Sequence, residues 1–316
     1  MMNNTSKSPC KFNPGTIING KWHKHRYQLV KELGAGANGV VYLVKGSFGY
    51  SALKMSTDSM SITSEVNVLK AFEKVQGSTL GPSLFDVDDW HTKNGTIHFY
   101  VMEYIHGPDL LSFISSKGKS WAGIMIVQLL DILENLHKQG WVFGDLKPEN
   151  LIVSGPPAKI RCIDVGGTTK SNRAIKEFTE FFDRGYWGLG TRKAEPSYDL
   201  FSTAMLLVNL YYPKRFSKNT DGKKQLMDVV QSDKGLVRYE PVLKRAFLNQ
   251  YSSAQEMKKD MLQLLSASDS QPKSNAVRYK SRQVKKQKKK NPIFETVSIL
   301  ILTIVLYALY IYGYIL

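Results

Sequence analysis

The chain has 316 residues, 42% of them hydrophobic and 22% charged, which is a globular composition and excludes an intrinsically disordered protein. Its net charge of +16 is uneven, because residues 273–291 carry nine lysines or arginines and no acid. The two cysteines, Cys10 and Cys162, are far apart, which excludes a disulfide framework or a cysteine zinc site and suits a reducing cytosol.

The first third of the chain predicts several strands and one helix. A helix is expected from about Thr63, because Val66, Leu69 and Phe72 recur at helical spacing. Strand patterns occupy residues 27–34, 39–46, 50–56 and 96–105.

The remainder is predicted to be mainly helical. Two short strands are expected at 151–153 and 158–165, and helices at 118–140, 198–210 and 253–265. A strand-rich part followed by a helix-rich part indicates two lobes with a cleft between them.

The stretch "GAGANGVV" places Gly34, Gly36 and Gly39 in a G-x-G-x-x-G arrangement between two strands. A Rossmann turn would continue into a helix, so this order instead favours a loop that covers nucleotide phosphates. Val41 fits an apolar residue over a purine ring. An ordinary glycine-rich hairpin is the alternative for the loop taken alone.

The next two motifs could complete a nucleotide site. Lys54 on the following strand could reach phosphates, with Glu65 as its positioning carboxylate. The segment "FYVMEYIHGPDL" is typical of a lobe connector, with backbone groups of Glu103 and Ile105 at the adenine edge and Asp109 at the ribose. For any one of these residues alone, a surface lysine or a buried strand end is the alternative.

The stretch "VFGDLKPENL" offers the chemistry of phosphoryl transfer. Asp145 can accept the proton of an incoming hydroxyl, Lys147 can neutralise charge on the transferring group, and Asn150 can hold a metal. Further along, "IDVGG" supplies Asp164, a second metal ligand at a strand end.

These elements occur in the order found in eukaryotic-like (Hanks-type) serine/threonine protein kinases, and the chain resembles that family from about Tyr27 to Ser266. The resemblance implies an α+β, bilobal protein-kinase fold with a small β-rich N-lobe and a larger α-helical C-lobe. It implies ATP with Mg²⁺ or Mn²⁺, and transfer of the γ-phosphate to Ser or Thr hydroxyls, including autophosphorylation.

The resemblance also assigns the site residues. It gives catalysis to Asp145, Lys147 and Asn150, and the metal to Asn150 and Asp164. The nucleotide pocket is expected to involve Gly34, Gly36, Gly39, Val41, Ala52, Lys54, Glu65, Glu103, Ile105, Asp109 and Ile152.

The chain departs from the family beside the catalytic Asp. Phe143 and Val165 stand where the family has His and Phe, so Phe143 is expected to fill the space that Val165 leaves. Gly144 replaces the Arg that would pair with a phosphate on the activation segment, the stretch after Gly166. By resemblance this is a "non-RD" kinase, whose activity should not need that switch.

Two further expectations concern the activation segment. Thr168, Thr169, Ser171 and Thr179 can still be autophosphorylated, and their joint replacement by Ala is expected to leave most turnover intact. The family's A-P-E motif is altered to "AEP" at 194–196, and Gln250 stands where the partner Arg of its Glu would lie. Both members of that ion pair are therefore expected to be missing.

The C-terminus predicts a membrane anchor. Residues 296–316 carry no charge except at no position of the segment's core, and as a helix they are long enough to span a bilayer of roughly 30 Å. A buried core helix is the alternative. The preceding lysines place the rest of the chain in the cytoplasm, so the predicted location is the cell membrane, with a single pass. With this tail, the chain resembles small membrane-tethered sporulation kinases of spore-forming bacilli.

The predicted division is an N-terminal segment 1–26, a kinase domain 27–268 with lobes 27–102 and 106–268, a basic linker 269–295 and a transmembrane helix 296–316. The expected partners are ATP, protein substrates and the membrane. The basic linker could bind anionic lipid or, alternatively, DNA that gathers kinases along one polymer. A sugar- or aminoglycoside-type kinase and a membrane-bound pseudokinase scaffold are the alternative functions.

Overall fold

The computed structural model describes residues 10–36, 38–73 and 81–269. Its first part is a six-stranded antiparallel sheet in the order β1-β2-β3-β4-β6-β5. The strands are β1 Ile17–Asn19, β2 Arg26–Gly36, β3 Gly39–Gly46, β4 Gly49–Ser56, β5 Leu84–Thr92 and β6 Gly95–Glu103. One face of the sheet buries a small apolar cluster that includes Tyr42, Val44 and Phe99.

The segment before Tyr27 takes part in this sheet. Strand β1 pairs antiparallel with β2, with Ile18 opposite Tyr27. Cys10 and Ile18 are buried in the same cluster as Phe99. The residues from Cys10 onwards therefore pack with the N-lobe.

Helix α1 (Ser59–Glu73) packs on the other face of the sheet. It starts four residues before the predicted Thr63, because the Asp58 carboxylate accepts a hydrogen bond of 2.9 Å from the backbone N–H of Met60 and so caps the helix. Its buried face carries Val66, Leu69 and Phe72 at the predicted spacing and also Glu65.

The second part is helical. Helix α3 begins and ends within the predicted 118–140, and every residue of α5 from Tyr198 onwards is buried, which makes α5 the centre of this lobe. The helices are α2 Leu110–Lys117, α3 Ser120–Lys138, α4 Arg184–Trp187, α5 Pro196–Tyr211, α6 Gly222–Ser232, α7 Lys234–Val237, α8 Glu240–Phe247 and α9 Ala254–Asp269. The predicted bilobal fold is confirmed.

Two small antiparallel sheets lie between α3 and α4 in the chain. Strand β7 (Trp141–Val142) pairs with β10 (Thr169–Lys170), and β8 (Leu151–Ser154) pairs with β9 (Lys159–Cys162). These pairs hold the segments before and after the predicted catalytic loop. Within the described ranges no helix has the length and apolarity to cross a bilayer, and the predicted anchor at 296–316 lies outside those ranges.

Candidate active site

The N-lobe carries an ion pair between β4 and α1. The Lys54 Nζ lies 2.7 Å from Glu65 Oε2, and Tyr100 donates a hydrogen bond of 2.7 Å to the same oxygen. Burial opposes the charge on Lys54, but the carboxylates of Asp164 and Glu65 outweigh it and raise the lysine pKa. Lys54 is therefore a cation fixed in position by its neighbours.

The glycine loop (residues 34–39) joins β2 to β3. Gly39 has a φ of +133°, and a Cβ there would overlap the carbonyl oxygen of Met55, so only glycine fits. Gly34 and Gly36 lie at the exposed end of β2, where a Cβ would meet nothing within 4 Å. The fold itself therefore requires glycine only at the third position of the motif.

The sheet register places the apolar pocket residues on neighbouring strands. Val41 of β3, which is half-buried, pairs with Lys54 of β4. Ala52 of β4 is buried and pairs with Met102 of β6. The predicted purine neighbours thus adjoin the strand that carries the phosphate-binding lysine.

The connector after β6 divides the adenine-edge prediction. Ile105 is buried, and its backbone makes no hydrogen bond among the described residues, which leaves it available to a ligand edge. The backbone N–H of Glu103 already donates to the Ser83 carbonyl at 2.8 Å, and its side chain pairs with Arg161 at 2.8 Å. The donor of Glu103 is therefore not free for adenine.

Asp109 has a structural role at the start of α2. Its carboxylate accepts hydrogen bonds from the backbone N–H of Ser112 at 2.9 Å and from the Ser112 hydroxyl at 2.6 Å, which caps the helix. Its backbone bridges to the half-buried Ile152 of β8. Ribose binding by Asp109 stays a prediction.

The catalytic loop is tied together around Asp145, whose side chain is only 9% exposed. Lys147 forms an ion pair with the Asp145 carboxylate. The Asn150 amide nitrogen donates to the backbone carbonyl of Asp145 at 2.9 Å. Thr179, from the activation segment, donates a hydrogen bond of 2.9 Å to Asp145 Oδ1. Sequence reasoning named Thr179 only as a phosphorylation candidate.

The residues ahead of Asp145 are held by one buried carboxylate on α5. Asp199 accepts hydrogen bonds from the backbone N–H groups of Phe143 at 2.8 Å and Gly144 at 2.9 Å. It also pairs with His137 Nε2 of α3 at 2.8 Å. Because these partners come from two elements, Asp199 fixes the start of the catalytic loop against the helical core.

The backbone at Gly144 requires glycine. Its φ is +87°, and a Cβ would lie 2.7 Å from the carbonyl oxygen of Gly167. A side chain at this position would have to displace the segment after Asp164. Phe143 and Val165 are both buried in the same core cluster, in line with the expected exchange of ring volume between these positions.

Asp164 follows β9 and lies near the N-lobe lysine. Its side chain is 45% exposed, and one of its oxygens lies 3.9 Å from Lys54 Nζ and accepts from the backbone N–H of Gly166 at 2.9 Å. A Cβ on the next residue, Gly167, would lie 3.0 Å from the Cβ of Asp145. The two adjacent glycines therefore bring Asp164 and Asp145 into the same small region.

The donor set fits a divalent metal. Among the described residues, the Asn150 amide oxygen accepts no hydrogen bond, and the Asp164 carboxylate is half-exposed. A carboxylate and an amide oxygen with free acceptor positions are hard ligands, so Asp164 and Asn150 suit a cation such as Mg²⁺.

A third acid in this region escaped sequence reasoning. Glu177 accepts a hydrogen bond from the Asn38 side chain of the glycine loop. A Cβ on Gly166 would lie 3.2 Å from an Asp164 oxygen and 3.6 Å from a Glu177 oxygen, so both carboxylates converge there. Burial, then the charge of Asp164, raises the pKa of Glu177. No local motif marks this residue, because its partners lie far away in sequence.

The activation segment differs from expectation at its end. Glu195 lies 2.6 Å from Arg184 of α4, whose side chain is 1% exposed, so the expectation that this acid has no arginine partner was wrong. The cation comes from eleven residues upstream and not from the position of Gln250. Of the hydroxyl residues, Thr168 and Thr169 are fully buried, which disfavours their phosphorylation in this conformation.

The fold and site together define a class. A model of the protein kinase domain matches residues 27–285, and the chain belongs to the protein kinase family. The structure of vaccinia related kinase 3 superposes with a TM-score of 0.60 over 82% of this chain and 92% of that one, at 16% identity, which shows the shared fold alone.

The relatives narrow the class. The chain is 52% identical, over 98% of both chains, to the serine/threonine-protein kinase YabT of Bacillus subtilis (strain 168). It is 28% identical to the cAMP-dependent protein kinase catalytic subunit 3 of Drosophila melanogaster over 42% of this chain and 24% of that one. The chain is a serine/threonine protein kinase of the bacterial Hanks type, and it is similar to YabT along its length.

Proposed function

We propose that Asp145 acts as the base of phosphoryl transfer to a Ser or Thr hydroxyl, with Lys147 and Lys54 as the cations that stabilise charge on the phosphates of ATP. The observation that carries this proposal is the linked set of contacts from Glu65 through Lys54 to Asp164, beside Asp145. A lysine held by a carboxylate of α1 is positioned for the phosphates without a further movement of that helix.

Catalysis is tested by replacing the base alone. Asp145→Asn keeps the shape of the side chain, and its loss of the proton acceptor should lower the rate of phosphate transfer by about 100-fold or more. Asp228→Asn, on the exposed face of α6, is the matched control and should leave the rate unchanged. Equal activity of the Asp145 variant and the wild type would contradict the assignment.

Mg²⁺ is the metal that we propose for Asp164 and Asn150. Bound there, it would neutralise phosphate charge. Asn150 would hold it through its free amide oxygen and Asp164 through its exposed carboxylate. Asp164→Asn should weaken the Mg²⁺ dependence of ATP binding, measured by titration of ATP with and without the metal. A metal dependence that does not change in this variant would argue against the site.

We also propose that the kinase works without a phosphate–arginine switch. The backbone at Gly144 leaves no room for a side chain, and the support of Glu65 comes from Tyr100 of β6, outside the activation segment. Phosphatase-treated protein should therefore transfer phosphate at the rate of untreated protein from the first turnover. A lag that disappears on autophosphorylation would refute this.

Anchoring at the cell membrane by residues 296–316, with the kinase domain in the cytoplasm, is a proposal supported by sequence. Fractionation of cells that express the full chain or residues 1–295 tests it. The full chain should sediment with membranes and the shorter chain should not. Equal sedimentation of both would remove the support for an anchor.

For the basic linker, we propose attraction to anionic lipid, on the order of 1 kcal/mol per cation near the surface. DNA binding is the second candidate, supported by nine cations without an acid in residues 273–291. Binding to anionic vesicles and to duplex DNA should be compared across salt concentrations, with a linker whose lysines are replaced by Gln as control. A role in sporulation rests on resemblance alone.

A further inference from the structure

A second cluster of chemically active side chains lies outside the catalytic site. The loop of residues 20–25, here called the histidine loop, connects β1 to β2 and lies against β5. The N–H of Lys21 donates to the Asp89 carbonyl at 2.8 Å, and the N–H groups of Trp22 and His23 donate to the Asp88 carboxylate, each at 2.8 Å. The loop therefore holds its side chains in a defined position.

Two imidazoles of this loop converge on one buried carboxylate. His23 Nδ1 lies 2.6 Å from one oxygen of Asp86, and His25 Nδ1 lies 3.0 Å from the other. The Asp86 side chain is 2% exposed, whereas those of His23 and His25 are 56% and 38% exposed. One nitrogen from each imidazole and one oxygen of Asp86 lie within 4.8 Å of one another.

The carboxylate is itself supported from behind. Tyr27 donates a hydrogen bond of 2.6 Å to Asp86 Oδ2, and the backbone N–H of Val87 donates at 2.9 Å to Oδ1. Metal-ligating carboxylates in proteins are usually held by such outer hydrogen bonds, which fix the orientation of the ligand.

We propose that His23, His25 and Asp86 bind a divalent transition-metal cation of the Zn²⁺ class, which replaces the protons now shared between the imidazoles and the carboxylate. Nitrogen ligands beside a single carboxylate suit Zn²⁺, Ni²⁺ or Cu²⁺, whereas Mg²⁺ and Ca²⁺ prefer sets of oxygen ligands. The exposed side of the two histidines leaves the remaining coordination positions to water or to another ligand.

The consequence of binding follows from the sheet order. Strands β1 and β5 lie at opposite ends of the strand order, yet the histidine loop contacts β5, so the two edges of the sheet meet at this loop. A cation shared by the loop and Asp86 would join the two edges. It should stabilise the folded N-lobe, because it binds the unfolded chain less well. The site uses none of the proposed catalytic residues.

The experiment is a Zn²⁺ titration of the full chain after metal stripping, with Mg²⁺ in excess so that the catalytic-site ligands are occupied. Binding is read by competition with a coloured chelator, and Co²⁺ is substituted to report coordination by its absorption spectrum. One Zn²⁺ should bind per chain and raise the melting temperature. His23→Gln and His25→Gln should each abolish both effects, and Tyr27→Phe should weaken affinity by about tenfold.

His98→Gln is the matched control, because His98 pairs with Asp89 of β5 at 2.7 Å but is not in the cluster. It should bind Zn²⁺ as the wild type does. The melting temperature without metal shows whether each variant folds. The proposal is overturned if the wild type binds no Zn²⁺, if the His23 and His25 variants bind it as well as the wild type, or if the His98 variant loses it equally.

Discussion

The hydrogen bond between Thr179 and Asp145 gives a prediction that can be worked out in detail. The Thr179 hydroxyl donates at 2.9 Å to Oδ1 of the proposed base, whose side chain is 9% exposed. Thr179→Val keeps the branched shape and removes only the donor. A hydrogen bond to a charged group contributes about 1.5–3 kcal/mol, so kcat/KM should fall by about tenfold to a hundredfold.

The assay is steady-state transfer of phosphate from ATP to a generic acceptor protein. Thr179→Ser keeps the hydroxyl and should stay close to the wild type, and the melting temperature should be similar in all three proteins. Phosphatase treatment of the wild type before the assay separates the hydrogen bond from phosphorylation of Thr179. The reasoning is refuted if the Val variant is as active as the wild type, or if the Ser variant is equally impaired.

The same contact revises the expectation for joint replacement of the four activation-segment hydroxyl residues by Ala. Most turnover was expected to survive this change. Because one of the four is Thr179, the variant should instead lose activity through the lost contact with Asp145. Restoring Thr179 alone in that variant should recover the activity.

Three other changes test further parts of the structure. Phe143→Ala should open a cavity in the core and lower the free energy of unfolding by about 3–5 kcal/mol, measured by urea denaturation; unchanged stability would contradict its packing role. Glu177→Gln should tighten ATP binding without metal by roughly threefold to tenfold, since it removes a negative charge near Asp164, and weaker binding would argue against repulsion. The Arg184 hydrogen bond lowers the pKa of Glu195, so its stabilisation is complete above about pH 4.3 and is lost as the pH falls through the lowered value. Glu195→Gln should therefore show a smaller loss of stability on acidification, and an equal loss would exclude this contribution.

Local patterns carried much of the fold and the main site. Helical spacing of Val66, Leu69 and Phe72 predicted α1, and its start moved by four residues because Asp58 caps it. The glycine loop, Lys54 and the catalytic loop were also readable, since each depends on residue types at short, fixed spacings.

The sequence by itself determined the two lobes, their order and the identity of the proposed catalytic side chains, because periodicity and motif spacing are local properties. Only the tertiary structure decided which distant groups meet them. Thr179 reaches Asp145 across 34 residues, Glu177 reaches Asn38 across 139, and His23 reaches Asp86 across 63. Such contacts depend on how strands and loops pack, and no local spacing in the chain records them.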